Sequence, residues 1–230
     1  ALAVAVAETA LGLILVGLKG VFPAAKCTAA GHWRTDPQWI GDRCVREMHG
    51  MTIGLVGASS VGRELLRLLR AFSVQVQIYD PYVSEAQAQA LGARKVELDD
   101  LMATSDVVTL HAADLPETRG MIGGRQLAMM KDQAILINTA RGALIDQPAL
   151  VDELRKGRLF AFLDVTSPEP PAADHPLRTL PNVVLTPHIA GPMSNGCRLI
   201  GEAAVGQIEA FVRGVELNSE ITREAYAILA

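Results

Sequence analysis

From residue 51 onward the chain alternates short apolar runs with longer amphipathic stretches. Met51 to Val56, Val74 to Tyr79, Asp106 to Leu110, Ala134 to Asn138, Leu159 to Val165 and Val183 to Leu185 are rich in Val, Ile and Leu. Each is too short for a helix, so together they predict six buried strands. Between the first two, Val61, Leu65, Leu68, Leu69 and Phe72 recur at helical spacing, which predicts a helix with one face on a sheet. Strands alternating with helices imply right-handed crossovers and a doubly wound parallel sheet, an α/β fold of the Rossmann type.

The opening ALAVAVAETALGLILVGL is apolar throughout. Glu8 in mid-stretch, the lack of a basic segment ahead of it, and Leu11, Leu13, Ile14, Val16 and Leu18 running up to Gly20 favour a core helix with a glycine stop over a signal peptide or membrane span. Residues 21–50, with Pro23, Pro37, Trp33, Trp39 and several glycines, read as an irregular arm suited to meeting a partner subunit. The last helix, residues 194–213, carries Ile200, Ala204, Ile208 and Phe211 on one face and is expected to pack through it. The chain thus divides into a helix and arm (1–50), a sheet domain (51–193) and a C-terminal helix and tail (194–230).

Composition narrows the function classes. A chain of 230 residues, half of them hydrophobic, buries a substantial core, roughly 70% of its unfolded surface. With a net charge of -4 there is no basic stripe for phosphates along a duplex, so nucleic acid is not an expected partner. Three cysteines, Cys27, Cys44 and Cys197, do not make a disulfide framework and point to a reducing cytoplasm. Cys27 with His32 and Cys44 with His49 are each separated by four residues. Zinc sites usually show tighter paired spacing, and no metal is expected.

The first strand runs directly into Gly57-Ala58-Ser59-Ser60-Val61-Gly62 and then a helix, the context that gives a G-x-G-x-x-G loop its meaning. The pyrophosphate of a dinucleotide would lie on the helix N-terminus. Ser59 replaces the middle glycine, a small residue where backbone must approach phosphate. Asp80 ends the second strand 23 residues after Gly57, where a carboxylate accepts from ribose hydroxyls and repels a 2'-phosphate, favouring NAD over NADP. Its alternative is a turn-former before Pro81.

Three more fragments sit at strand ends, where open α/β sheets bind ligands: Leu110-His111, Asn138-Thr139-Ala140-Arg141-Gly142 and Thr186-Pro187-His188-Ile189-Ala190-Gly191. Arg141 is either a surface ion-pairing residue or a bidentate holder of a substrate carboxylate. His188 follows a proline at a strand end rather than lying on an apolar helix face, which suits a proton donor. Glu169, in Thr166-Ser167-Pro168-Glu169-Pro170, is either loop solvation or that histidine's carboxylate partner.

With the GASSVG loop and Asp80, the segments ILINTARGALIDQPALVDELRKGRL, DVTSPEP and LPNVVLTPHIAG stand in this order. In them the chain resembles the nucleotide-binding domain of the D-isomer-specific 2-hydroxyacid dehydrogenases over nearly its whole length. The resemblance implies NAD as cofactor and hydride transfer at C2 of a small 2-hydroxy or 2-oxo acid, such as glyoxylate, hydroxypyruvate or a phosphorylated relative. It implies that Arg141 binds the substrate carboxylate, His188 is the general acid/base and Glu169 holds and charges His188. Glu169→Gln is then expected to lower reductase activity and move its pH optimum down. Cofactor contacts are implied for Gly57, Ser59, Ser60, Val61, Gly62 and Asp80. Others are implied for His111, Ala112, Thr118, Thr139, Ala140, His188 and Gly191, with Asp164 orienting the nicotinamide carboxamide.

The chain departs from the family at Ser59, at His111-Ala112-Ala113 where the family has His-x-Pro, and at Leu115 where threonine is common. The family's substrate-binding domain is missing, and the opening helix resembles its interdomain helix. A fragment is therefore expected, clamping substrate on one side only and turning over poorly, with residues 21–50 pairing subunits into a homodimer through Trp33 and Trp39. Two other readings stand beside this one: an NAD-sensing corepressor-like scaffold, and a fragment that binds no dinucleotide.

Overall fold

A computed structural model describes residues 2–37, 45–215, 217 and 221–223; Trp39 and Cys44 lie outside them. Seven parallel strands form one sheet: β1 Thr52–Val56, β2 Gln75–Tyr79, β3 Arg94–Lys95, β4 Val107–Leu110, β5 Ile135–Asn138, β6 Phe160–Leu163 and β7 Val183–Leu185. Their order is β3-β2-β1-β4-β5-β6-β7. The chain winds outward from β1 to β3, then returns to β4 beside β1 and winds outward the other way. That reversal opens a crevice beyond the carboxyl ends of β1 and β4, the usual ligand position in such sheets.

The apolar runs are continuous because both faces of the sheet are covered. Side chains alternate across a strand. Ile53, Leu55, Ile78, Val107, Ile135, Ile137 and Phe162 therefore join one core with helices α1 (Leu2–Leu18) and α3 (Ser60–Leu69). Val56, Val108, Leu110, Leu136, Ala161 and Leu163 join a second core with α5 (Leu98–Thr104), α6 (Gly124–Met129) and α7 (Gln147–Arg155). Each fully buried Leu or Ile contributes about 1.5–3 kcal/mol. Between β2 and β3 lies α4 (Glu85–Ala90), opened by a Ser84–Gln87 capping box.

All six expected strands are present, trimmed by up to three residues at their ends. β3 was not expected. Its two residues carry no apolar pattern and become a strand only by pairing Arg94 with Gln77 of β2. Gln77 is buried; its amide nitrogen donates to Thr104 Oγ1 at 2.7 Å and Ser105 Oγ at 2.9 Å, and its oxygen accepts from Arg94 at 3.0 Å. One side chain thus ties β2 to β3 and to the end of α5.

Three expectations need correction. Of the stripe expected on α1, Ile14 and Leu18 are buried and Leu11 and Leu13 pack half-buried against the core, but the buried face also runs on through Val6, Ala7 and Ala10, small residues that let the helix lie close to α3 and β5. The arm is not irregular at its start: α2 spans Val21–Ala29, with Gly20 in the left-handed region at φ 59° making the corner. Pro23 falls in the first turn of α2, where its missing N–H costs no helical bond. Finally, α8 (Asn195–Val212) buries none of its residues among those described. Ile200, Ile208 and Phe211 are exposed; an apolar face states a need for cover without supplying it.

No single described helix is long and apolar enough to cross a membrane, and α1 with α2 reaches that length only as a pair bent by 56°.

Candidate active site

The candidate cofactor loop is built around two glycines. Gly57 leaves β1 at φ 97°, where L side chains rarely go, and a Cβ there would lie 2.6 Å from Ala112 N. A Cβ on Gly62 would lie 2.5 Å from Gly57 O. Ser59 caps α3, its hydroxyl facing Gly62 N at 3.5 Å, so the residue in place of the middle glycine serves the helix start. The amides of Ser60 and Val61, ahead of Gly62 in the first turn of α3, have no intrahelical acceptor, the arrangement that suits a ligand anion.

Asp80 sits beside this loop. Its Oδ2 accepts from Ala58 N at 2.7 Å and its Oδ1 from Tyr82 N at 2.8 Å, which fixes the carboxylate at the edge of an open cleft of about 430 Å³. Gly57, Ser59, Asp80, His111, Ala112 and Thr118 all line that cleft. Thr118 acts through the loop: its hydroxyl accepts from Leu115 N at 2.8 Å and donates to Ala113 O at 2.6 Å. Sequence reading missed Arg63, Tyr82 and Glu117, which also line the cleft. They are ordinary surface residue types, and only the fold brings them to its wall.

His111 lies at the cleft wall with its ring turned inward. The residue is 2% exposed, its Nε2 is 3.0 Å from Thr109 Oγ1, and burial holds its pKa down to about 4. Its Nδ1 and the hydroxyl of Thr139 are buried without a partner in the protein. Both residues directly follow paired strand ends, Leu110 of β4 opposite Asn138 of β5. Two orphaned polar atoms at this edge, with a glycine cradle that a Cβ would fill, fit a dinucleotide lying across the switch point.

The other candidate residues stand along β5, β6 and β7. Asn138 ends β5 as a buried polar residue; its Oδ1 accepts from Ala140 N at 3.0 Å and its Nδ2 donates to Arg141 O at 2.9 Å. It shapes the turn that presents Arg141, a role signalled in sequence by a lone amide closing an apolar run. Arg141 is exposed and donates to Ala140 O at 2.7 Å. A Cβ on Gly142 would lie 2.1 Å from Thr166 C, so this turn abuts the segment after β6.

Asp164 is 2% exposed and organises the next loop. Its Oδ1 accepts from Thr186 Oγ1 at 2.5 Å and Ile189 N at 2.9 Å, and its Oδ2 from Ala190 N at 2.8 Å. Its carbonyl accepts from His188 N at 2.9 Å. These bonds hold His188 at φ 55°, a backbone state rare for non-glycine residues, and aim its ring at Glu169. His188 Nδ1 lies 2.7 Å from Glu169 Oε1. Thr9 of α1 donates to Ala190 O at 3.3 Å, fastening the opening helix to this loop. Gly191 lies beside Leu2 of α1, and neither it, Ser60 nor Val61 contributes a side-chain hydrogen bond.

Comparison with known proteins agrees with this geometry. Residues 11–190 match the family model for the D-isomer specific 2-hydroxyacid dehydrogenase, NAD binding domain. The chain is 34% identical to D-3-phosphoglycerate dehydrogenase of Archaeoglobus fulgidus over 95% of its own length and 41% of that protein. It is 35% identical to hydroxypyruvate reductase of Blautia hydrogenotrophica over 82% of its length and 59% of that protein. The crystal structure of NAD-dependent formate dehydrogenase from Staphylococcus aureus in complex with NAD superposes with a TM-score of 0.79 at 30% identity, covering 94% of this chain and 64% of that one. The chain therefore spans only about two fifths to three fifths of the two curated relatives. From loop, sheet order and match together, the chain belongs to the D-isomer specific 2-hydroxyacid dehydrogenases and is an NAD-binding domain of that family.

Proposed function

We propose that this chain is the cofactor-binding part of an NAD-dependent oxidoreductase acting on a small 2-hydroxy or 2-oxo acid. The observation that carries the reading is the 2.7 Å contact between His188 and Glu169, held beyond the sheet edge next to the turn bearing Arg141. NAD, when bound, supplies or accepts a hydride. Everything else falls to the protein. Gly57, Ser59, Gly62 and the start of α3 would hold the pyrophosphate, and Asp80 would accept from the adenosine ribose and disfavour a 2'-phosphate.

In the reducing direction the Arg141 guanidinium binds the substrate carboxylate in its two-pronged geometry. His188 delivers a proton from Nε2 to the carbonyl oxygen, and in oxidation it takes that proton back. Glu169 accepts from Nδ1, which fixes the ring's orientation and leaves Nε2 for substrate. Asp164 sets the histidine through the loop it organises, and would orient the nicotinamide carboxamide when the cofactor is bound. Relatives named for phosphoglycerate and hydroxypyruvate support a substrate among three-carbon hydroxy acids and their neighbours, glyoxylate included. The exposed Phe22 and Trp33 fit an arm that pairs two copies into a homodimer, and three cysteines in the chain fit a reducing cytoplasm.

The test is titration of the purified chain with NADH and, in parallel, NADPH, followed by NADH oxidation with a panel of 2-oxo acids. Saturable NADH binding at least about tenfold tighter than NADPH is expected. His188→Gln should keep saturable NADH binding and lower 2-oxo acid reduction by about 10²–10⁴. No saturable binding of either nucleotide overturns the cofactor reading; an unchanged rate in His188→Gln overturns the role of His188.

A further inference from the structure

Glu169 stands in a stretch that burial does not hold. Ser167, Pro168, Glu169 and Pro170 are all exposed, following the buried Thr166. A carboxylate that must meet a ring nitrogen at 2.7 Å needs its backbone held to about 0.5 Å, and packing does not provide this here. Hydrogen bonds at the two ends of the segment do. Ahead of Glu169, Gln147 Oε1 accepts from Ser167 N at 3.0 Å and Thr166 Oγ1 donates to Pro168 O at 2.8 Å. Behind it, Arg178 donates from Nε to Ala172 O at 2.9 Å and from Nη2 to Pro171 O at 2.8 Å.

Among these braces Gln147 alone comes from the Arg141 side of the site. It is the first residue of α7, which follows Arg141 by way of the 3-10 turn Gly142–Leu144. Its carboxamide is held at both ends, with Nε2 3.1 Å from His175 Nε2. The same two segments already meet where Gly142 abuts Thr166. Gln147 therefore links the segment carrying the guanidinium to the segment carrying the carboxylate.

We propose that Gln147 is a positioning residue of this site: by accepting from Ser167 N it holds Glu169 against His188 and so sets which ring nitrogen of His188 carries the proton. The inference rests on reading Glu169 and His188 as the acid/base pair. With Glu169 at Nδ1, the neutral ring keeps its proton on Nδ1 and turns the Nε2 lone pair to substrate. Without Glu169 in place, the ring reverts to the Nε2–H form favoured by a free histidine side chain.

The experiment reads the tautomer of the neutral His188 ring by two-bond proton–nitrogen NMR on the full chain at one alkaline pH, the resonance being assigned with His188→Gln. Four proteins are compared: wild type, Glu169→Ala, Gln147→Met, which keeps side-chain length but removes the acceptor, and Gln147→Glu, which restores an acceptor for Ser167 N. Wild type and Gln147→Glu are expected to hold the Nδ1–H form, Glu169→Ala to hold mainly Nε2–H, and Gln147→Met to move most of the way to Glu169→Ala. Unchanged NADH affinity and melting temperature in Gln147→Met would separate this from a folding defect. In 2-oxo acid reduction, Gln147→Met should lose about tenfold or more in kcat with KM little changed. If Gln147→Met keeps the wild-type tautomer while Glu169→Ala loses it, Gln147 does not position the pair. If Glu169→Ala itself keeps the wild-type tautomer, the pair does not set the ring, and the acid/base reading falls together with the role of Gln147.

Discussion

His111 follows β4 and His188 lies just past β7, on the same edge of the sheet with β5 and β6 between them, and their surroundings are opposite. His188 is exposed beside the Glu169 carboxylate. His111 is sealed inside, and burial lowers its pKa to about 4 from an ordinary 6.5. Its folded-state pKa being depressed, the unfolded chain takes up the proton first as pH falls. The stability tied to the neutral ring is then complete above about pH 6.5 and is lost as pH falls from about 6.5 to about 4. The full loss is about 3 kcal/mol. His111→Gln should flatten that part of the stability profile, as measured by urea unfolding at about pH 7.5 and about pH 5. An equal slope in both proteins would remove His111 as its source.

At the scale of elements, the cofactor loop and the opening helix answer to the same constraint, close approach. Gly57 combines a left-handed backbone with a Cβ position 2.6 Å from Ala112 N. Gly57→Ala is expected to weaken NADH binding by more than about tenfold, because the turn that aims the α3 amides must open; fluorescence titration decides it. In α1, Ile14 is fully buried, whereas Leu15, its neighbour in sequence, is 37% exposed. Ile14→Ala should cost about 2–5 kcal/mol in chemical denaturation and Leu15→Ala well under half of that. Equal costs would mean that α1 does not lie on the sheet as described. The loop-bearing elements read clearly from sequence because glycine at a fixed offset from an apolar run has few other uses. β3 and α2 did not, since neither buries an apolar stripe: β3 is two charged residues paired to an edge, and α2 has no buried residue.

The whole molecule adds what no element contains. The α8 face reads as a packing surface by its spacing, yet Ile208 is 63% exposed and Phe211 72% exposed. Ile208→Ser and Phe211→Ser should each change the stability of this chain by no more than about 0.5 kcal/mol; a loss of several kcal/mol would show that the face is covered. The His188–Glu169 contact likewise belongs to this scale. Three loops create it: the Arg141 turn abutting Thr166, the Asp164-centred loop fixing His188, and the braces on residues 167–172.

Sequence alone determined the parallel sheet, the glycine loop with an acid at the end of the next strand, and the three fragments that carry Arg141, Glu169 and His188. Those features are local: the period of apolar residues sets strand and helix, and a glycine or an acid at a strand end has meaning within a few residues of itself. Tertiary structure decided the rest. It brought Glu169 within 2.7 Å of His188, turned the His111 ring inward, engaged Asp164 with the backbone of its neighbouring loop, and placed Arg63, Tyr82 and Glu117 on the cleft wall. It also left the apolar face of α8 exposed among the described residues. Hydrogen-bond partners and burial depend on which segments meet across the sheet, and the order in which strands pair is a property of the folded chain rather than of any stretch within it.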